Sequence, residues 1–170
     1  MKKLIFVVLA TTTLLACQSK SEMTATAAYP ANASGYHVDS SANTAIVRKA
    51  VQAMEANDTA TYRSLYAANA VFHDNIDSMT LDQNISLVSL FQKNGVTVKI
   101  TSMEPIWEEV NKVASPTGVN NYVISYQLAE FTKGDKKVKV IMNSVDAMKD
   151  GKIVEEWNTY DTRKIEEILK

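Results

Sequence analysis

The hydrophobic period of this chain changes at Asn94-Gly95, and that switch limits the fold to few arrangements. Upstream, apolar residues recur at helical spacing. Asn43 to Ala56 carries Ile46, Val47, Ala50, Val51, Ala53 and Met54, with Arg48, Lys49, Gln52 and Glu55 between them, the pattern of an amphipathic helix. Asp58 is placed to cap a second helix with Tyr62, Leu65 and Tyr66 on one face. Thr80-Leu81-Asp82-Gln83 has threonine and glutamine three apart, a capping box, and opens a third helix through Ile85, Val88 and Phe91. Asn94-Gly95 closes that helix. Between the second and third helices, Ala70-Val71-Phe72-His73 reads as a strand.

Downstream the period is two. Val96, Val98 and Ile100 alternate with Thr97, Lys99 and Thr101. Residues 111–121, with Ser115-Pro116-Thr117-Gly118 inside, read as a loop. Tyr122 to Phe131, Lys137 to Met148 and Ile153 to Asn158 are the strands of a meander, and Thr162 to Lys170 is a short helix or tail. The run Lys133, Lys136, Lys137, Lys139 surrounds one hairpin tip, as a solvated turn does. Asp150-Gly151 fits a two-residue type I′ turn. Helices followed by an antiparallel meander predict an α+β domain, its helices on one face of a curved sheet.

The hairpin fixes a register. A loop at 150–151 pairs 149 with 152, 148 with 153, 146 with 155 and 144 with 157. Asp146 and Glu155 then lie opposite each other, on the face that carries Met142, Met148, Ile153 and Trp157. If that face points inward, desolvation and mutual repulsion raise a carboxyl pKa. If it points to water, the pair is a mild surface penalty. The apolar neighbours favour the inward reading. The other face, with Ile141, Val145, Ala147 and Val154, is not clearly polar either and could be a dimer surface.

The first residues decide the setting. Lys2 and Lys3 precede an apolar run from Leu4 to Leu15, of signal-peptide length and too short to span a bilayer. Leu14-Leu15-Ala16-Cys17 resembles a bacterial lipobox. The resemblance implies cleavage after Ala16 and a lipidated Cys17 carrying acyl chains such as palmitate, which anchor a protein stably. Gln18 after the cysteine implies, by the same resemblance, the outer membrane of a Gram-negative cell envelope. Cys17 is the one cysteine, so neither a disulfide nor a thiolate site is available. The chain has 18 basic and 19 acidic side chains, and loss of Lys2 and Lys3 takes the formal charge from −1 to −3. That is no nucleic-acid footprint. Residues 18–42 are poor in large aliphatic side chains and read as a flexible tether, to which Tyr29, Tyr36 and Val38 could add an edge contact. The expected organisation is a leader at 1–16, a lipidated tether at 17–42 and one domain at 43–170.

Two segments resemble the NTF2-like superfamily, with its SnoaL-like and ketosteroid-isomerase-like branches. They are Ala45 to Asp74 and the run Val145-Asp146-Ala147-Met148-Lys149-Asp150-Gly151-Lys152-Ile153-Val154-Glu155-Glu156-Trp157. The resemblance implies a cone-shaped, cystatin-like α+β barrel with a pocket between sheet and helices. It places Asp74 at the general-base position of the isomerase-like enzymes and Asp146 at that of the protonated, oxyanion-binding aspartate. The chain departs from the pattern at Ala50, where those enzymes carry a tyrosine. Glu156 and Asn158 stand where SnoaL-like chains have histidine and aspartate.

Asp74 is either a turn residue capping local amides or a pocket base. His73 ends a strand, where a lone histidine is more often structural than part of a site. Tyr62, Tyr66, Trp107 and Trp157 either line a pocket or fill core. The pocket set expected here is Tyr62, Tyr66, His73, Trp107, Glu155 and Trp157, with Asp74 and Asp146 as the catalytic candidates. His37 and His73 are the only histidines, and no zinc spacing, glycine-rich phosphate loop or Ser-His-Asp order is present, so neither metal nor cofactor is expected. The expected function is a membrane-anchored pocket that binds a small apolar ligand or a protein partner without turnover. The alternatives are an isomerase, cyclase or dehydratase using Asp74 as base and Asp146 as acid, and a homodimeric assembly module.

Overall fold

The structure, a computed structural model, describes residues 35–169. Cys17, the lipobox and the tether up to residue 34 lie outside the described residues. All described residues fall in one compact unit.

Helices α1 (Ala42–Glu55), α2 (Thr59–Leu65) and α3 (Leu81–Lys93) follow the helical half of the sequence. Their starts are where the capping residues stand. Asp58 accepts from Thr61 N at 3.0 Å, and Thr80 forms the complete capping box with Gln83. α1 starts on a second box, between Ser41 and Thr44. Each cap satisfies amides that a helix leaves without partners.

The strands are β1 (Gly35–Val38), β2 (Tyr66–Asp74), β3 (Asp77–Thr80), β4 (Thr97–Ser102), β5 (Ile106–Asn111), β6 (Asn121–Lys133), β7 (Lys136–Lys149) and β8 (Lys152–Tyr160). A last helix, α4, covers Thr162–Leu169. Among the described residues the strands form one unclosed sheet in the order β1-β5-β6-β7-β8-β2-β3, with β4 also pairing β6. The fold is α+β, with a curved sheet and helices packed on it, as the change of period predicts. No described helix is long and apolar enough to cross a membrane.

Three expectations need correction, while the loop expected at 111–121 lies between the end of β5 and the start of β6. The stretch 35–42, assigned to the tether, carries β1 and the cap of α1. Gly35 lets β1 sit against β5, since a Cβ there would meet Val110 O at 2.2 Å. The sheet is not wholly antiparallel, because β2 pairs β8 in parallel.

The third correction bears on the site. The Asp150-Gly151 turn has positive φ at both residues, 51° and 70°, as type I′ requires. Lys149 pairs with Lys152 and Met148 with Ile153, as expected, but Ala147 then pairs with Glu155. Val154 is therefore an extra residue, a β-bulge. Beyond it the register is shifted by one, and every later side chain of β8 changes face. Asp146 opposes Glu156, not Glu155, and Ser144 opposes Asn158, not Trp157.

Candidate functional site

Between the sheet and the helices lies a cavity of ≈ 320 Å³, at the lower end of the range for small-molecule sites. The sheet register builds its floor. One row runs Val123, Asp146, Glu156, Phe72 across β6, β7, β8 and β2. The next runs Ser125, Ser144, Asn158, Asp74, and a third Gln127, Met142, Tyr160. α1 contributes Val47, Ala50 and Val51, α2 contributes Tyr62, and α3 contributes Asn84, Leu87, Val88 and Phe91. Ile165 of α4 also reaches the wall.

Asp146 is only 2% exposed. Its carboxyl hydrogen-bonds that of Glu156 and accepts from Ser144 Oγ at 3.2 Å. Glu156 accepts from Tyr66 Oη and from Asn158 Nδ2, both at 2.7 Å. Two adjoining carboxyl groups in an apolar site cannot both ionise readily. Burial, and then the charge of Glu156, pushes Asp146 well above the usual carboxylate range. Burial raises Glu156 too, but the Tyr66 and Asn158 donors oppose it. The shared proton therefore rests on Asp146, and Glu156 is the partner held toward its anion.

Asp74 stands one strand over, at the end of β2. Burial raises its pKa, the Tyr160 hydroxyl that bonds it opposes the rise, and Asp77 adds to it. Tyr62 and Tyr66 have rings 4.7 Å apart. Burial and then the charge of Glu156 hold both phenols above the ordinary tyrosine range, so they remain donors. Tyr62 donates to Asn84 Oδ1 at 3.1 Å. Among the described residues, no Lys, Arg or His lines the cavity, and no three His, Cys, Asp or Glu side chains are grouped to hold a metal.

Of the residues expected from sequence, Asp74, Asp146, Tyr62 and Tyr66 meet at this cavity. His73, Trp107, Glu155 and Trp157 do not. The bulge at Val154 turns Glu155 and Trp157 to the opposite face, and the period of two puts His73 there when Asp74 faces inward. They form their own cluster: Glu155 Oε1 lies 2.7 Å from His73 Nε2, Ser78 Oγ 2.9 Å from His73 Nδ1, and the indole of Trp157 stacks on the imidazole. Trp107 stacks on Tyr126 on the same outer face. Glu156, Asn158 and Tyr160 were missed as site residues, since only the bulge turns them inward. Ser144 was legible: it lies two residues before Asp146 on one strand.

No family model matches this sequence, and no curated protein does. Solved structures match its fold. An epoxide hydrolase from M. tuberculosis, described as LEH-like, superposes with a TM-score of 0.57 at 15% identity, covering 75% of this chain and 89% of that one. An NTF2-like protein of Burkholderia xenovorans gives 0.58 at 11%, covering 78% and 100%. A proposed polyketide cyclase of Xanthomonas campestris pv. campestris gives 0.58 at 11%, covering 76% and 97%. At such identities the likeness speaks for the fold, which is NTF2-like.

Proposed function

We propose that this NTF2-like domain takes a small, largely apolar molecule into the cavity and holds its polar end at the Asp74, Asp146 and Glu156 cluster. The observation that carries the reading is the convergence of three carboxyl groups at one end of a cavity whose helical wall, Val47, Val51, Leu87, Val88 and Phe91, is apolar. Burying such groups costs several kcal/mol each unless something compensates, and a cavity with no partner for them has no structural reason to keep them. The test is a ligand screen on wild type and on Leu87→Trp, which fills the cavity from α3. Binding retained in the filled variant would sink the proposal.

A second reading is favoured by one feature, the protonated Asp146 beside Glu156 in the same cavity as Asp74. A neutral acid and a partly buried carboxylate are the parts of a proton-transfer enzyme. Asp146 would donate to a ligand oxygen while Asp74 removes a proton. Ala50 leaves that arrangement without the tyrosine donor of the isomerase-like enzymes, so the acid role falls on Asp146 alone. Carbonyl and epoxide compounds are the probes. Turnover lost in Asp74→Asn with binding kept supports this reading, and ligand bound without turnover by wild type returns the case to binding.

Two settings complete the proposal. Cys17 is the attachment point of the lipid that ties the domain to the envelope membrane, and Cys17→Ala should abolish palmitate incorporation. The outer face of the sheet pairs with a second copy. There the row Trp157, Val145, Ile124, Trp107 crosses four strands. Glu155 and Glu109 flank it on one side, and the uncharged Thr159, Asn143 and Tyr126 on the other. A two-fold axis along the row would set each carboxylate opposite the hydroxyl or amide donors of the partner's row, an isologous fit. A molar mass that stays monomeric at high concentration would exclude it.

A further inference from the structure

We infer that the ligand of this cavity carries a protonated amine. The inference rests on the reading that the cavity holds a ligand, and adds the chemistry of its head group. Among the described residues, no cation stands beside Asp74, Asp146 and Glu156 on the wall. The charges that act on these three groups are their own and that of Asp77. Buried carboxylates are ordinarily paired with a cation or a metal. The proton on Asp146 leaves Glu156 and Asp74 without such a counter-charge among the described residues.

The hydrogen bonds say the same. Ser144 donates to Asp146, Tyr66 and Asn158 to Glu156, and Tyr160 to Asp74. A carboxylate has about four acceptor positions, so each keeps capacity toward the cavity. Gln127, 8% exposed and also on the wall, donates its amide to Ser125 Oγ at 3.1 Å, which leaves its carbonyl as a further acceptor. An ammonium group brings three donors and no acceptor, the complement of this end of the cavity. Val51, Leu87, Val88 and Phe91 provide an apolar wall for the ligand's hydrocarbon part. With the proton on Asp146, a carboxylate ligand would add a third negative group to Glu156 and Asp74 and be rejected.

The experiment is titration calorimetry of the intact chain at pH 7 with three molecules of one skeleton: 4-phenylbutylamine, 4-phenyl-1-butanol and 4-phenylbutyrate. The amine should bind about tenfold or more tighter than the alcohol, the margin of one charge-assisted hydrogen bond, and the carboxylate weakest. In the double variant Asp146→Asn, Glu156→Gln the tenfold preference for the amine over the alcohol should disappear. If that variant does not melt cooperatively, Asp74→Asn carries the same comparison, and an amine preference unchanged in it overturns the inference. Alcohol binding as tightly as amine in wild type also overturns it, and leaves the cavity's role as a ligand site intact. If none of the three binds at millimolar concentration, both the inference and the ligand-site reading fall.

Discussion

Asp146 shows how one residue carries two consequences. Its carboxyl is buried beside Glu156, and its pKa lies well above the usual range. The folded state therefore keeps a proton that the unfolded chain releases once pH exceeds about 4. Between that pH and the raised folded value, the unfolded state binds fewer protons, so stability falls as pH rises. The slope is up to about 1.4 kcal/mol per pH unit for one such group. Asp146→Asn, which cannot ionise, should remove that slope. Urea unfolding of both proteins from pH 5 to pH 8 measures it, and parallel curves would contradict a buried protonated Asp146. On the other face, Trp157→Ala should leave ligand binding unchanged, because the indole packs on His73 and not on the cavity.

The elements owe their boundaries to local chemistry and their facing to one irregularity. α3 begins at a capping box whose donors and acceptors are all present. Thr80→Ala should cost about 1 kcal/mol by urea unfolding, with no change in the cavity. The β7–β8 hairpin behaves differently. Its turn is written in Asp150-Gly151, but the faces of Glu155, Glu156 and Trp157 depend on the bulge at Val154. Removing Val154 would take out the extra residue and leave a regular ladder in which Glu155 still opposes Ala147 and Glu156 still opposes Asp146. The expected result is a cavity that keeps its acidic pair, at a stability cost of about 1 kcal/mol for the lost bend by urea unfolding. A deletion variant that loses the raised pKa of the Asp146–Glu156 pair would show that the bend of the bulge, and not the register alone, brings the two carboxyl groups together.

At the scale of the whole molecule, a sheet with helices on one side has an outer face to account for. That face carries Trp107, Ile124, Val145 and Trp157 in a single row, with Tyr126 at 44% and Ile141 at 70% exposure beside it. A purely solvated face would alternate to polar residues there. The proposed pairing through this face predicts that Ile124→Glu sediments as a monomer at concentrations where wild type sediments as a dimer, with the cavity undisturbed. Association unchanged in that variant would place the contact elsewhere.

The sequence by itself determined the helices and the strands β2, β4, β6, β7 and β8 in their order, the caps at Asp58 and Thr80, the turn at Asp150-Gly151 and the inward side of Asp146. Each of these rests on interactions a few residues apart, or on a period that one segment displays alone. Tertiary structure decided which acid meets Asp146, which aromatics face the ligand and where β2 joins the sheet. The parallel β2–β8 pair brings Asp74 beside Asn158 across more than eighty residues of chain, and no local pattern encodes it. The bulge at Val154 is a packing outcome of the same kind. A strand that must lay Ile153 in the core and Glu156 against Tyr66 can satisfy both only by gaining a residue between them, and that requirement exists only once the helices are in place.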